Sequence, residues 1–335
     1  MKSFTNANAK DLNHAVALVK QARDANKSVA IAGGGSDLLG MMKERLITPD
    51  MLVSLRTIKG LDQVKAGPGG GLTIGGQITL DALANNSTIR ARYSVLAESA
   101  QEVATPQIRN VATLAGNILQ RPWCWYYRNG FKCFKNGGNT CYSAAGENEF
   151  HAIFGGGPSY IVHPSDTAPA LVALDATFRI IGPGGERTVK AADFFTLPTV
   201  DAAKENVLKD GEVLASITLP AAVKERRSTY HKVMDREAWT HAVVSAAIVL
   251  DMDRDLCRGA RVVLGGVAPI PWRLPEVEKA LAGQRITKEL AAKAGELAVA
   301  GARPLAKNGY KVPLTRAMVA RTISDIADRG SRSAD

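Results

Sequence analysis

Two turns built around small residues mark the first half of this 335-residue sequence. The first turn follows the strand-like run 28–32 and contains three successive glycines, Gly33–Gly35, followed by Ser36 and Asp37. Without Cβ atoms, backbone N–H groups can approach and surround a phosphate, and Ser36 adds a hydroxyl donor. Asp37 carries a negative charge, so we expect it to cap the following helix or to bind backbone amides rather than phosphate. A plain tight turn would have the same composition.

The second turn, residues 113–118, combines a glycine with neighbouring hydroxyl and amide side chains. Neither turn has the Gly-x-Gly-x-x-Gly pattern followed by a ribose-binding acid, and neither carries the Lys-Ser/Thr pair of a P-loop. Each turn alone is weak evidence for a ligand. The two turns together indicate a nucleotide cofactor.

Three of the four cysteines lie in the segment 120–160, which has no sustained periodicity. Cys124, Cys133 and Cys141 are separated by eight and seven residues, whereas Cys257 stands alone. Zinc modules usually contain cysteines only about two to four residues apart, and no such pair is present. Thiolates on a long irregular loop suit an iron–sulfur cluster, which normally has four cysteine ligands. The segment therefore suggests a second redox centre in an electron-transfer module.

The net charge of +10 is spread along the chain, so composition favours a mildly basic surface over a nucleic-acid site. No apolar run is long enough for a transmembrane helix, and the N-terminus lacks the apolar core of a signal peptide. We therefore expect a cytoplasmic protein that binds neither nucleic acid nor membrane. A partner that carries a signal could still export it.

Length and hydrophobic pattern predict two α+β domains, 1–222 and 223–330, with the cysteine-rich insert 120–160 inside the first. Helices are predicted over 10–25, after a cap near Thr79, and over 93–103, 275–283, 287–302 and 315–328. Strands are predicted over 28–32, 51–55, 72–76, 171–181, 211–219, 241–251 and 260–267, with a hairpin turn at 183–185.

Several stretches resemble the FAD-binding subunit of the molybdenum hydroxylases, the group of xanthine dehydrogenase, aldehyde oxidoreductase and carbon monoxide dehydrogenase. In chain order they are Ala32–Leu39, Ile108–Asn117, His163–Asp166, Tyr230–Lys232 with Arg236, and Gly265–Arg273. The resemblance covers nearly the whole chain. It implies a two-part FAD-binding domain of the p-cresol methylhydroxylase type, followed by a smaller C-terminal α/β domain of the carbon monoxide dehydrogenase flavoprotein type.

The resemblance also implies which residues bind FAD. The pyrophosphate would lie in the first turn, formed by Ala32, Gly33, Gly34, Gly35, Ser36 and Asp37, with Leu38 beside it. The phosphate and ribityl contacts would be completed by Thr113, Gly116, Asn117 and Ile118. Ser165 and Asp166 would bind the adenosine end or its loops, Leu214 would pack near the isoalloxazine ring, and Lys232 would lie at its polar edge. The alternative for Asp166 and Lys232 is a salt bridge between loops.

The insert is similar to one found in a subset of this family, where it carries a [4Fe–4S] cluster. The three cysteines match that pattern, but Ser159 occupies the position expected for the fourth, four residues before His163. Three outcomes stay open: Ser159 ligates the fourth iron, His151 or water does so, or the cluster is labile or absent. Zinc, or three thiols without a metal, is the remaining alternative.

This chain has no C-x4-C-x2-C pattern of a plant-type [2Fe–2S] site and is too small for a molybdopterin domain. The resemblance implies that two partners supply these centres, a small [2Fe–2S] subunit and a large molybdopterin-binding subunit. Substrate would be oxidised at molybdenum, and electrons would leave through FAD to an external acceptor. A stand-alone FAD-dependent oxidase of the same fold is the alternative function. A scaffold with a vestigial flavin site is a third, and the intact glycine turns argue against it.

Overall fold

The N-terminal part of the chain forms a small parallel sheet that ends in the first glycine turn. The computed structural model describes residues 1–238 and 240–329. The first elements are β1 (Thr5–Asn8), α1 (Leu12–Asp24), β2 (Val29–Ala32), α2 (Leu38–Lys43) and β3 (Met51–Ser54). The strands pair in parallel in the order β1-β3-β2. Helix α1 confirms the predicted helix, and the Asp11 side chain caps it by accepting from His14 N at 2.7 Å.

A second, antiparallel sheet and a group of short helices form the larger part of the first domain. The elements before the insert are β4 (Val64–Ala66), β5 (Leu72–Gly75), α3 (Leu80–Asn85), α4 (Ser87–Arg92), α5 (Ser94–Gln101), α6 (Pro106–Arg109) and α7 (Leu114–Ile118). Those from the insert onward are α8 (Trp125–Arg128), α9 (Thr167–Ala173), β6 (Thr177–Gly182), β7 (Gly185–Lys190), α10 (Ala191–Phe194) and β8 (Val213–Leu219). The strand order is β4-β5-β8-β6-β7.

The C-terminal domain is an antiparallel sheet covered by three helices. Its elements are β9 (Arg226–Val233), β10 (Val244–Asp253), β11 (Leu256–Gly265), β12 (Trp272–Arg273), α11 (Pro275–Leu281), β13 (Gln284–Arg285), α12 (Lys288–Val299) and α13 (Lys311–Arg329). Strand β10 is apolar on both faces. Ala247 and Val249 pack into the core of the FAD-binding domain, whereas Ala246 and Ile248 pack against the C-terminal helices. Tyr230 of β9 and Val263 of β11 also belong to the first core, so the two domains meet at this C-terminal sheet.

Two predicted assignments differ from the structure. The strand predicted over 171–181 is wrong at its start, because Leu171 to Ala173 finish helix α9 and the strand begins at Thr177. A short apolar run has no period that separates a buried helix from a buried strand. Strand β9 was not predicted: charged residues at 224–227 suggested a linker, yet Arg226 pairs with Asp251 of β10 at 2.7 Å. The remaining predicted helices and strands are confirmed within a few residues.

The cysteine-rich insert is compact although it has little regular structure. An aromatic cluster of Trp125, Tyr126, Phe131 and Tyr142 lies partly at its surface, with ring centroids 5.1 to 6.0 Å apart. Lys311 ties it to the C-terminal domain, donating from Nζ to the carbonyls of Phe150 at 2.9 Å and Gly266 at 2.8 Å. Burial lowers the pKa of Lys311 to about 7.

Among the described residues, no helix combines the length and apolar character needed to cross a membrane.

Candidate functional site

The two turns singled out by the sequence meet in the structure. The first turn leaves β2 and passes directly over the chain that enters α7, so an added Cβ on Gly34 would overlap the carbonyl oxygen of Val111. A Cβ on Gly33 would lie 2.8 Å from Thr113 Oγ1. Only glycine allows so close an approach of two backbones. Thr113 also caps α7, accepting from Gly116 N at 3.2 Å, and so holds the second turn in shape.

A buried acceptor without a partner lies at this junction. Gln77 Oε1 accepts no hydrogen bond from the described protein and lies 3.1 Å from the position of a Cβ on Gly33. Buried polar atoms are nearly always hydrogen-bonded, and an exception points to a ligand or ordered water. The amide oxygen therefore fits a donor on a bound cofactor, such as a hydroxyl group. Sequence reasoning missed Gln77, because it belongs to no glycine motif.

The second turn is fastened to the residues that follow His163 by a buried hydroxyl–amide cluster. Asn117 Oδ1 accepts hydrogen bonds from Ser165 Oγ at 2.6 Å and from Thr167 Oγ1 at 2.7 Å. The structure thus brings the predicted residues Asn117 and Ser165 into direct contact. These hydrogen bonds join protein to protein and hold the two loops together, and the contact of both residues with a cofactor stays a prediction.

A buried ion pair links the two domains close to this cluster. Lys232 Nζ lies 2.8 Å from Asp166 Oδ2, and their side chains are only 0% and 5% exposed. Tyr230 donates its hydroxyl to Asp166 Oδ1 at 2.7 Å. Burial, reinforced by the Asp166 charge, raises the pKa of Tyr230 well above its usual value, so the phenol stays a donor. The salt-bridge alternative for Asp166 and Lys232 is therefore present, and their contact with the cofactor stays a prediction.

The carboxylate of Asp37, a predicted cofactor-binding residue, accepts hydrogen bonds from the cysteine-rich insert. Its Oδ1 accepts from Arg128 Nη2 at 2.8 Å, and its Oδ2 accepts from the backbone N–H of Arg121 at 3.0 Å. The expectation that Asp37 binds a backbone amide is confirmed. The expectation that it caps the helix is wrong, since its side chain makes no cap hydrogen bond to α2.

The remaining predicted residues differ in what they can offer a ligand. Leu38 packs beside Met41, Tyr127 and Cys133, and so faces the insert. Ile118 and Leu214 are buried in the domain core, and their contact with a cofactor stays a prediction. Ala32 ends β2 with part of its surface exposed, and Ser36 and Gly116 are among the turn residues open to solvent.

The three clustered cysteines line one small cavity. Cys124, Cys133 and Cys141 lie around it with Ser159, and each of the three has a free thiol. Burial, partly offset by backbone hydrogen bonds, raises the pKa of Cys124 to about 11. Within residues 1–238 and 240–329, no three His, Cys, Asp or Glu side chains are arranged to hold a metal ion. The predicted metal site at these cysteines therefore gains no support as a preformed ligand set.

His151, the alternative fourth ligand, lies on the edge of this cavity. Its Nε2 is 3.4 Å from Cys124 Sγ, while its Nδ1 is buried without a partner in the described structure. Burial lowers the pKa of His151 to about 4, so its ring is neutral at physiological pH. Ser159, only 2% exposed, lines the cavity directly and His151 does not.

Comparison with known proteins establishes the class, an FAD-binding subunit of an oxidoreductase, which the fold and the paired turns fit. The family model described as the FAD binding domain in molybdopterin dehydrogenase matches residues 2–222. The model described as the CO dehydrogenase flavoprotein C-terminal domain matches residues 229–326. The chain therefore belongs to the family of FAD-binding subunits of the molybdopterin dehydrogenases. The resemblance inferred from its motifs is confirmed at this level.

Individual relatives span almost the whole chain. The aldehyde oxidoreductase FAD-binding subunit PaoB of Escherichia coli is 34% identical over 298 residues, which cover 87% of this chain and 89% of the relative. The carbon monoxide dehydrogenase medium chain of Hydrogenophaga pseudoflava is 28% identical and covers 94% of both chains. A solved carbon monoxide dehydrogenase structure from the same organism superposes with a TM-score of 0.75 at 26% identity, covering 98% of each chain.

Proposed function

We propose that the chain is the FAD-binding electron-transfer subunit of a heterotrimeric molybdenum hydroxylase of the xanthine dehydrogenase or aldehyde oxidoreductase type. The observation that carries the proposal is the junction of the two turns. There the backbone of Gly33 and Gly34 packs directly against the second turn, and Gln77 has an acceptor without a partner among the described residues. When bound, FAD supplies chemistry that takes up electrons singly and releases them in pairs, while the protein fixes its position and surroundings.

Within this proposal the site residues divide into two groups. Residues that would touch the cofactor are those of the first turn from Ala32 to Ser36, the backbone of Thr113 to Gly116, and Gln77. Residues that would hold these loops in place are Asn117, Ser165, Asp166 and Lys232, because each is already bonded to another part of the protein. Leu38, Ile118 and Leu214 would contribute packing behind the loops.

The proposal extends to domain organisation and partners. Residues 1–222 would form the FAD-binding domain and 223–330 the C-terminal domain of the flavoprotein, in line with the two family models. Substrate hydroxylation would take place in a molybdopterin-binding large subunit. A small [2Fe–2S] subunit would pass the electrons on. The names of the relatives, a medium chain and FAD-binding subunits, support an assembly of this kind.

The test is the flavin itself. Protein produced together with its partners is expected to release about one FAD per chain into the supernatant after acid denaturation, because every predicted contact is non-covalent. Flavin would be identified by chromatography and fluorescence. Colour retained in the acid precipitate would favour the stand-alone oxidase, whose flavin is often tethered covalently. A supernatant and precipitate both free of flavin would contradict the assignment of the two turns.

We also propose that the insert binds an iron–sulfur cluster of the [4Fe–4S] type. Cys124, Cys133 and Cys141 would supply three ligands, and Ser159 is the residue of the same cavity best placed to act as the fourth. The support is that these four side chains line one small cavity, although the insert between residues 124 and 159 has little regular structure. Serine is a harder ligand than thiolate, so the iron that it holds should be the most easily lost.

Replacing Cys133 by Ser tests this second proposal. We expect iron and sulfide per chain to fall at least about threefold, because thiolate is the normal ligand of such clusters. FAD per chain should stay unchanged, since serine is close to cysteine in size and the contact between Arg128 and Asp37 is left in place. The matched control is Cys257→Ala, a buried cysteine in the other domain, which should change neither quantity. Equal loss of iron and FAD would mean that Cys133 is needed for folding instead.

A further inference from the structure

An ion pair and a hydrogen bond join segment 121–128 of the cysteine-rich insert to Asp37 at the end of the first glycine turn. Arg128 and Asp37 form an ion pair of 2.8 Å whose side chains are only 7% and 15% exposed. The backbone N–H of Arg121 donates a hydrogen bond to the second carboxylate oxygen of Asp37. Both oxygens of Asp37 are thus bound by a segment more than 80 residues further along the chain, and this contact joins the insert to the proposed FAD site.

Arg128 is itself held rigidly. Its Nε donates to the carbonyl of Pro122 at 2.9 Å, and its Nη2 also donates to the carbonyl of Arg121 at 3.0 Å. The guanidinium lies over the Trp123 ring, 4.2 Å from the centroid. Its Nη1 is buried and makes no hydrogen bond to the described residues, so the two N–H groups of this nitrogen have no protein acceptor there.

The charge of Asp37 requires this arrangement. Asp37 directly follows Gly33 to Ser36, the turn proposed to hold the FAD pyrophosphate, and a bare carboxylate there would repel a phosphate. The ion pair with Arg128 removes this repulsion and fixes the C-terminal end of the turn. We propose that Arg128 of the insert is a positioning residue for FAD, so that flavin retention depends on the insert whether or not the insert holds a cluster. This inference rests on the proposed FAD function.

Charge compensation can be separated from simple packing by a pair of variants. In Arg128→Gln the carboxylate of Asp37 is left unpaired, and FAD should bind to the assembled complex at least about tenfold more weakly. In the double variant Asp37→Asn/Arg128→Gln no carboxylate remains, and affinity should recover to within about threefold of the wild type. A role in packing alone predicts that the double variant is at least as weak as the single one.

The matched control is Arg179→Gln, which breaks a different arginine–carboxylate pair, that with Glu186 on the exposed β6–β7 hairpin. It should leave FAD affinity unchanged. Arg128→Lys keeps the charge but loses the guanidinium's bonds to the carbonyls of Pro122 and Arg121, so its FAD affinity should lie between those of the wild type and Arg128→Gln; it replaces Arg128→Gln if that variant does not fold. Iron content and circular dichroism are recorded for every variant.

The outcomes distinguish a failure of the proposed FAD function from a failure of the role proposed for Arg128. If wild-type complex binds no FAD, the proposed function fails and this inference fails with it. If wild type binds FAD and Arg128→Gln binds it equally well, only the role of Arg128 is overturned. The same holds if the double variant is as weak as the single variant, or if Arg128→Lys is as weak as Arg128→Gln.

Discussion

Gly34→Ala is expected to abolish FAD retention and to destabilise the first domain by about 1–3 kcal/mol or more. The added Cβ would overlap the carbonyl oxygen of Val111, which is rigid backbone at the entry to the second turn. The two turns can then no longer touch, and the phosphate-binding backbone and the acceptor of Gln77 move apart. The measurements are FAD per chain after gel filtration and the free energy of unfolding in denaturant.

Gly40→Ala provides the control for this substitution. Gly40 lies six residues further on in helix α2, where an added Cβ meets nothing within 4 Å. The substitution should leave FAD binding unchanged and stabilise the domain by about 0.5–1 kcal/mol, because alanine is the better helix former. If Gly34→Ala kept its flavin, the close contact of the two turns would have no role in binding it.

The contrast between these glycines shows what could be predicted from the sequence. The run from Gly33 to Asp37 has the local composition of an anion-binding turn, so its presence was predictable. That Gly34 faces Val111 was not, because the contact joins residues distant in the chain and depends on the finished fold. Gln77 was missed for the same reason: its unpaired oxygen is a property of its surroundings, with no pattern in the neighbouring residues.

The same limit applies to charge and to secondary structure. Asp37 was correctly expected to bind a backbone amide, yet its pairing with Arg128 depends on how the insert folds back on the first turn. The C-terminal helices were predicted well because their apolar residues recur with the helical period. Strand β9 was not predicted, since its charged N-terminal residues are neutralised only by neighbouring strands such as β10. Long-range partners therefore account for most of what was missed.

Lys232→Met is expected to lower the free energy of unfolding by about 3–5 kcal/mol, because it leaves the Asp166 carboxylate buried without its counter-charge. Lys232 Nζ is fully buried and also donates to the carbonyl of Glu102 at 2.9 Å, so the variant loses a second bond as well. Among the described residues, Tyr230 would then be the remaining side-chain donor to Asp166. The measurement is denaturant unfolding of the purified protein at neutral pH.

Two comparisons isolate the effect of the buried charge. Lys279→Met breaks an exposed pair with Glu276, with both side chains more than two-thirds exposed, and should change stability by less than about 1 kcal/mol. Asp166→Asn/Lys232→Met removes both charges and should be more stable than Lys232→Met by at least about 1 kcal/mol. Equal stability of Lys232→Met and Lys279→Met would show that the ion pair does not hold the domains together. Flavin affinity of the folded fraction, measured in parallel, tests the contact with FAD that the family resemblance implies for Lys232.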